Sequence, residues 1–183
     1  MIIDAIIDYV IASGHKPDGK QWTQIDVQKV LYYAQGWYLA FHGEPLFDEE
    51  VRAWRNGPVV RSAYSRLRRY QDRPIGREAI RTNPDAVLAE PVKRFLDKII
   101  ATYGHYSPGD LVGFTHMRGS AWRMVRDDNG FKKGDDSDIA IPDDLLASTL
   151  LSQFDHDLDL AAVTFDQDGS LAAEFDSMRA RAV

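Results

Sequence analysis

Between Val27 and Phe41 the chain reads VQKVLYYAQGWYLAF, five aromatic rings and a single charge, Lys29, in fifteen residues. Val27, Val30, Leu31, Ala34, Tyr38 and Phe41 fall on one stripe of a helix, and Tyr33 and Trp37 lie on a neighbouring face. Apolar surface that wraps so far round a helix has to be covered from several sides. The pattern therefore predicts a central helix in a mainly α-helical domain, with its rings read first as core. Thr23 and Asp26 supply a capping-box start, and Gly43 supplies a stop just after His42.

The other segments agree with a helical fold. Ile3, Ile6, Ile7, Val10 and Ile11 keep helical spacing up to Ser13-Gly14. A third helix is predicted from about Val59 to Tyr70, after the turn signal Asn56-Gly57-Pro58. Pro91 opens a fourth that runs to Gly104, and Ser107-Pro108-Gly109-Asp110 caps a fifth. A sixth holds Trp122, Met124 and Val125, and Pro142 begins a last one through about Phe154. A small two-stranded β-ribbon is expected between residues 51–54 and 75–80. Gln35, a buried amide in need of partners, is expected to bond the turn at Asn56-Gly57-Pro58.

With 183 residues, one compact domain is the natural size. We divide it into residues 1–150 and an acidic C-terminal segment, 151–183, packed on or extending from the same domain. The apolar N-terminal stretch is interrupted by Asp4 and Asp8 and falls short of the roughly 20 apolar residues that span a bilayer. A cytoplasmic protein without membrane contact is expected. There are no cysteines, so thiolate metal sites, disulfides and cysteine nucleophiles are excluded.

The net charge of −6 hides a polarity. Residues 52–81 carry nine arginines against two acids, whereas residues 127–183 carry fourteen acids against four basic residues. For the arginine face of the third helix, solvated or internally paired arginines rank first, with Glu49 and Glu50 as nearby candidate partners, an acidic protein partner ranks second, and nucleic acid third.

Phosphate-binding glycine loops, dinucleotide fingerprints and the GxSxG elbow are missing from the sequence. The five histidines show no metal-ligand spacing. Asp155, Asp157 and Asp159 imitate the start of a calcium loop, but Leu160 stands where glycine must make the turn. No metal and no cofactor is expected.

Three stretches together resemble the Panacea domain, the SocA-like or GepA-like phage-associated family. The run from Asp26 to Ala40 is similar to the family signature, with Gln28, Lys29, Tyr32, Tyr33, Gln35, Gly36 and Trp37 at signature positions. Pro45-Leu46-Phe47 followed by Trp54, Gly57 and Pro58 resembles a second stretch, and Thr115-His116 with Trp122 a third. Val27 and Val30 stand where the family has leucines, and Ala121 where it has proline.

The resemblance implies a helical antitoxin, not an enzyme, encoded beside a toxin gene and acting by binding the toxin protein. It also implies, as in SocA-like members, an adaptor that delivers the toxin to ClpXP. Toxin contact is expected at Trp54, Arg55, Tyr64, Arg68, Trp122 and Arg123, residue types enriched in interface hot spots. Two readings from other classes stay open, a small hydrolase centred on His116 with Thr115 and Asp110, and a DNA-binding autoregulator using the arginines of the third helix.

Overall fold

The computed structural model describes residues 2–14 and 19–156, so the acidic segment expected to extend to residue 183 lies largely outside the described residues. Within them the chain is mainly α-helical with one small antiparallel hairpin. Helix α1 (Ile2–Ala12) buries Ile3, Ile6, Ile7, Val10 and Ile11, as its period predicts. No helix of the described residues is long and apolar enough to cross a membrane.

Helix α2 (Gln24–His42) is the centre of the molecule. The Thr23 hydroxyl accepts from the Asp26 amide, and the Asp26 carboxylate accepts from the Thr23 amide at 2.9 Å, which completes the capping box. At the other end Gly43 takes φ +70°, a left-handed cap that glycine adopts without steric cost, and its N–H reaches Leu39 O. Every residue from Asp26 to Phe41 is buried except Tyr38, which is partly covered.

The hairpin consists of β1 (Val51–Trp54) and β2 (Gly57–Val60), paired Val51 to Val60 through Trp54 to Gly57 around Arg55-Asn56. The first ribbon strand therefore sits where the sequence placed it, but its partner is Gly57–Val60, not residues 75–80. Two residues suffice to reverse an antiparallel chain, so the local partner is reached at the least loop-closure cost. Residues 77–79 instead form a 3-10 turn, and the Ile75 amide bonds Trp22 O. Because Val59 and Val60 belong to β2, helix α3 (Arg61–Leu67) begins later than its apolar period suggests, and a 3-10 turn carries it to Tyr70.

A short α4 (Pro84–Val87) leads to α5 (Glu90–Tyr103), α6 (Pro108–His116), α7 (Ala121–Asp128) and α8 (Asp143–His156). Helices α1, α3, α5, α6 and α8 and strand β2 all pack on α2. The approach of α8 depends on Gly36. A Cβ there would stand 3.0 Å from Leu146 Cγ and closer still to Leu150 Cδ1, so the helices meet where α2 has no side chain.

Two buried glutamines on α2, seven residues and about two turns apart, act as surrogate backbone. Gln28 Nε2 donates to Val60 O at 3.1 Å while its Oε1 accepts from Val60 N at 2.9 Å, which fixes the hairpin to the helix. Gln35 does the same for a different segment from the one expected. Its Oε1 accepts from the Leu46 and Phe47 amides, and its Nε2 donates to Phe47 O, so it holds the chain leaving α2 rather than the Asn56-Gly57-Pro58 turn. The loop after Gly43 needs partners for its buried amides, and Gln35 is the polar group within reach.

Candidate functional site

A groove of about 560 Å³ opens between the first turns of α2, the hairpin and α3. Ile25, Gln28 and Lys29 form one side. Trp54, Arg55, Pro58 and Val59 form the other, with Tyr64 from α3 and Val112 from α6 completing the walls. Asp136, Ser137 and Asp138 close the rim, because residues 139–141 run beside β1 through bonds from Ala53 N to Ile139 O and from Ile141 N to Val51 O, both 2.8 Å.

The rim is electrically balanced. Trp54 Nε1 donates to Asp138 Oδ1 at 2.8 Å, Arg61 pairs with the same carboxylate, and Arg55 lies 3.5 Å from Asp136. The Trp54 ring meets Tyr64 edge-on at 4.9 Å, so two partly exposed aromatics stand together in the wall. Their indole, phenol and guanidinium neighbours are groups that anchor protein contacts.

Behind the hairpin a stacked assembly holds its turn. Trp122 Nε1 donates to Trp54 O at 2.8 Å, and His116 lies flat on Trp122, centroids 3.8 Å apart and planes 8° off parallel. Arg126 Cζ sits 5.2 Å from the Trp122 ring centroid, and the guanidinium donates to Ala53 O, Lys132 O and Asp135 O. Burial first, then the charge of Lys29, pushes the His116 imidazole down to about 4, with the Asn56 backbone acting against them. The ring is accordingly neutral at pH 7.

Lys29 is the exceptional group. It is 3% exposed, and burial alone lowers its ammonium to about 7. A Cβ on Gly57, whose φ is +125°, would stand 2.5 Å from Lys29 Nζ and 3.3 Å from His116 Nε2. The hairpin turn thus comes down directly over the amine, and glycine is what lets it do so.

Of the residues expected to contact a partner, the structure brings Trp54, Arg55 and Tyr64 into this groove. Trp122 is buried and supports the wall from behind. Arg68 and Arg123 do not line the groove, and Arg123 pairs with Asp127 at 2.7 Å. Among the signature residues, Gln28, Lys29 and Pro58 line it, and Gly57 covers Lys29. Tyr32, Tyr33, Gln35, Gly36 and Trp37 lie farther along α2 in the core. There Tyr33 stacks on Tyr103 at 3.7 Å, and Trp37 Nε1 donates to the Tyr103 hydroxyl at 2.7 Å.

The arginine band is largely engaged within the fold. Besides Arg55 and Arg61, Arg66 is buried against Asp8 with Asp4 beside it, and Glu50 pairs with Arg52 of β1 rather than with an arginine of the third helix. Glu49 instead accepts the Ser62 amide at the start of α3. For the hydrolase alternative, Asp110 accepts from Ser107 in its own capping box and the Thr115 hydroxyl donates to Val112 O, so neither side chain is aimed at His116. No group of three or more His, Cys, Asp or Glu able to hold a metal ion occurs among the described residues.

Sequence reasoning missed Ile25, Val112, Asp136 and Asp138 as groove residues. Asp136 and Asp138 come from a loop whose sequence says only that it is polar. Lys29 was visible as the sole charge in the apolar run, and that was the available signal.

A family model described as antitoxin SocA-like, Panacea domain, matches residues 27–123. That span runs from the second turn of α2 to the start of α7 and includes the hairpin. Antitoxin SocA of Caulobacter vibrioides (strain NA1000 / CB15N) is 25% identical over 120 residues, which cover 61% of this chain and 64% of that protein. The chain thus aligns with less than two thirds of the length of this relative. No solved structure matches.

Proposed function

The chain belongs to the SocA-like antitoxin family defined by the Panacea domain, and on that footing we propose that it neutralises a toxin protein by binding it directly, with the groove beside the β1–β2 hairpin as the docking surface. The observation that carries the surface is the coincidence of Gln28, Lys29, Trp54 and Pro58, all at positions of the family signature, in the lining of one groove. Residues such as Tyr33 and Gly36 serve the core, and these four face a space that a partner can enter. Trp54 and Tyr64 supply the aromatic anchors, and Arg55 supplies a charge at the rim.

Co-expression with the product of the neighbouring gene tests the reading. We expect a complex on affinity capture and relief of growth arrest. Trp54→Ala with Tyr64→Ala is expected to weaken the complex by about 2 kcal/mol or more. Arg55→Glu is expected to weaken it too, whereas Arg68→Glu and Arg123→Glu leave it nearly unchanged. Absence of both complex and growth rescue would overturn the antitoxin reading.

Delivery of the bound toxin to ClpXP is the further step that the family resemblance supports. It predicts that the toxin's half-life lengthens in cells lacking ClpX and shortens when this chain is supplied. An unchanged half-life in both would remove the adaptor role and leave neutralisation by binding. This activity belongs to the cytoplasm.

A further inference from the structure

Lys29 has no counter-charge. Among the described residues no hydrogen bond or ion pair reaches its Nζ, and burial is the whole cause of its weakened hold on a proton. Other buried charges in the molecule are compensated: Asp8 pairs with Arg66 and accepts three further bonds, and Arg126 donates to three carbonyls. A buried ammonium without a partner lowers stability. Its neighbour His116 Nε2 is buried, with the Asn56 backbone as the one group that favours its protonation. Both nitrogens converge on the Gly57 turn, and Lys29 lines the groove.

We propose that the Lys29 end of this groove, under the Gly57 turn and beside His116, is a seat for one carboxylate of a partner polypeptide, either an Asp or Glu side chain or a chain terminus. The inference rests on the reading of the groove as a docking surface and adds its chemistry. One uncompensated positive charge calls for one negative charge. A carboxylate supplies it, whereas a phosphate dianion would bring one negative charge more than Lys29 offsets, because the rim cations Arg55 and Arg61 are already paired with Asp136 and Asp138. The walls also speak for a polypeptide, since Ile25, Trp54, Pro58 and Tyr64 cover the apolar stem of a side chain and leave its charged end to the lysine.

A carboxylate in the seat restores the ammonium, so docking takes up a proton at neutral pH. The lowered value of about 7 leaves much of the free protein with a neutral amine, and pairing with an anion reverses that shift. The seat therefore distinguishes an acidic residue from its amide by charge and not by shape.

The first arm of the test needs no toxin. The whole chain is titrated at pH 7 with N-acetylglycine, with its neutral amide and with inorganic phosphate, and the Lys29 amine is followed by NMR, its signal identified by its loss in Lys29→Met. We expect a saturable response to N-acetylglycine and a far weaker one to the amide. Equal responses to acid and amide, no response to the acid, or a tighter response to phosphate would each overturn the proposal. In the second arm Lys29→Met is expected to weaken the complex with the neighbouring gene product about 30-fold or more. Proton uptake on binding, measured calorimetrically in buffers of different ionisation enthalpy, should vanish with it. A complex of unchanged affinity in a folded Lys29→Met chain overturns the proposal. Binding of N-acetylglycine with no complex at all leaves the seat standing and removes the antitoxin reading.

Discussion

The Gln35 side chain holds both backbone polar groups of Phe47, accepting from its N–H at 3.2 Å and donating to its C=O at 3.0 Å. A third bond, from Leu46 N at 3.1 Å, shares the same Oε1. Replacing Gln35 by Ala leaves buried backbone groups without partners and opens a cavity beside α2. The cost is expected to be about 3 kcal/mol. Urea denaturation measures it, and a loss below about 1 kcal/mol would show that the segment finds other partners.

A second prediction concerns the buried ion pair that joins α1 to α3. Asp8 is fully buried, pairs with Arg66, and accepts from Arg81 N, Thr82 N and the Thr82 hydroxyl. Asp8→Ala leaves the Arg66 guanidinium uncompensated in the interior and is expected to cost about 3–5 kcal/mol. The double variant Asp8→Ala with Arg66→Met removes both charges and should recover a large part of that loss. Additive losses in the double-mutant cycle would refute the pairing.

These two cases mark what the sequence discloses. The capping boxes at Thr23 and Ser107 and the glycine stop at Gly43 follow from local chemistry, because donor and acceptor are three or four residues apart. The centrality of α2 follows from an apolar surface too wide for one neighbour. By contrast, the partners of Gln35, Asp8 and Arg61 depend on which loop comes back to meet them. Nothing in residues 136–138 says that they return to β1, so the groove rim was not legible. Trp54, Arg55 and Tyr64 are legible as contact types, and their meeting in one groove depends on the hairpin, whose second strand lies 15 or more residues nearer to the first than residues 75–80.

Helix–helix packing gives a third prediction. Gly36→Ala adds a methyl group where Leu146 and Leu150 of α8 already press on α2. Alanine favours the helix by about 1 kcal/mol over glycine, but overpacking costs about 1–3 kcal/mol, so a net loss is expected. Leu150→Ala alone should cost about 2–5 kcal/mol through its cavity. Combined with Gly36→Ala it should cost clearly less than the two losses together, because the new methyl fills part of the space. Strict additivity measured by thermal or urea unfolding would place α8 elsewhere.

The last prediction is a pH profile with two limbs and one residue that controls both. Lys29 holds its proton to about 7 in the folded chain, against 10.5 for an ordinary lysine. Between those values the unfolded state binds more protons, so stability rises with pH from about 7 towards 10.5 and is lost as pH falls back. His116 behaves likewise at lower pH. Its folded value of about 4 lies below the usual 6.5, so stability falls as pH drops through that window. Lys29→Met removes the alkaline limb altogether. It also raises the folded pKa of His116, since the Lys29 charge is one of the influences that lower it, and so narrows the acid limb. Urea unfolding of the two chains at acidic, neutral and alkaline pH decides the matter. We expect the variant to be at least as stable at neutral pH, because a methionine of similar volume needs no counter-charge. An alkaline limb that survives in Lys29→Met would show that some other group produces it.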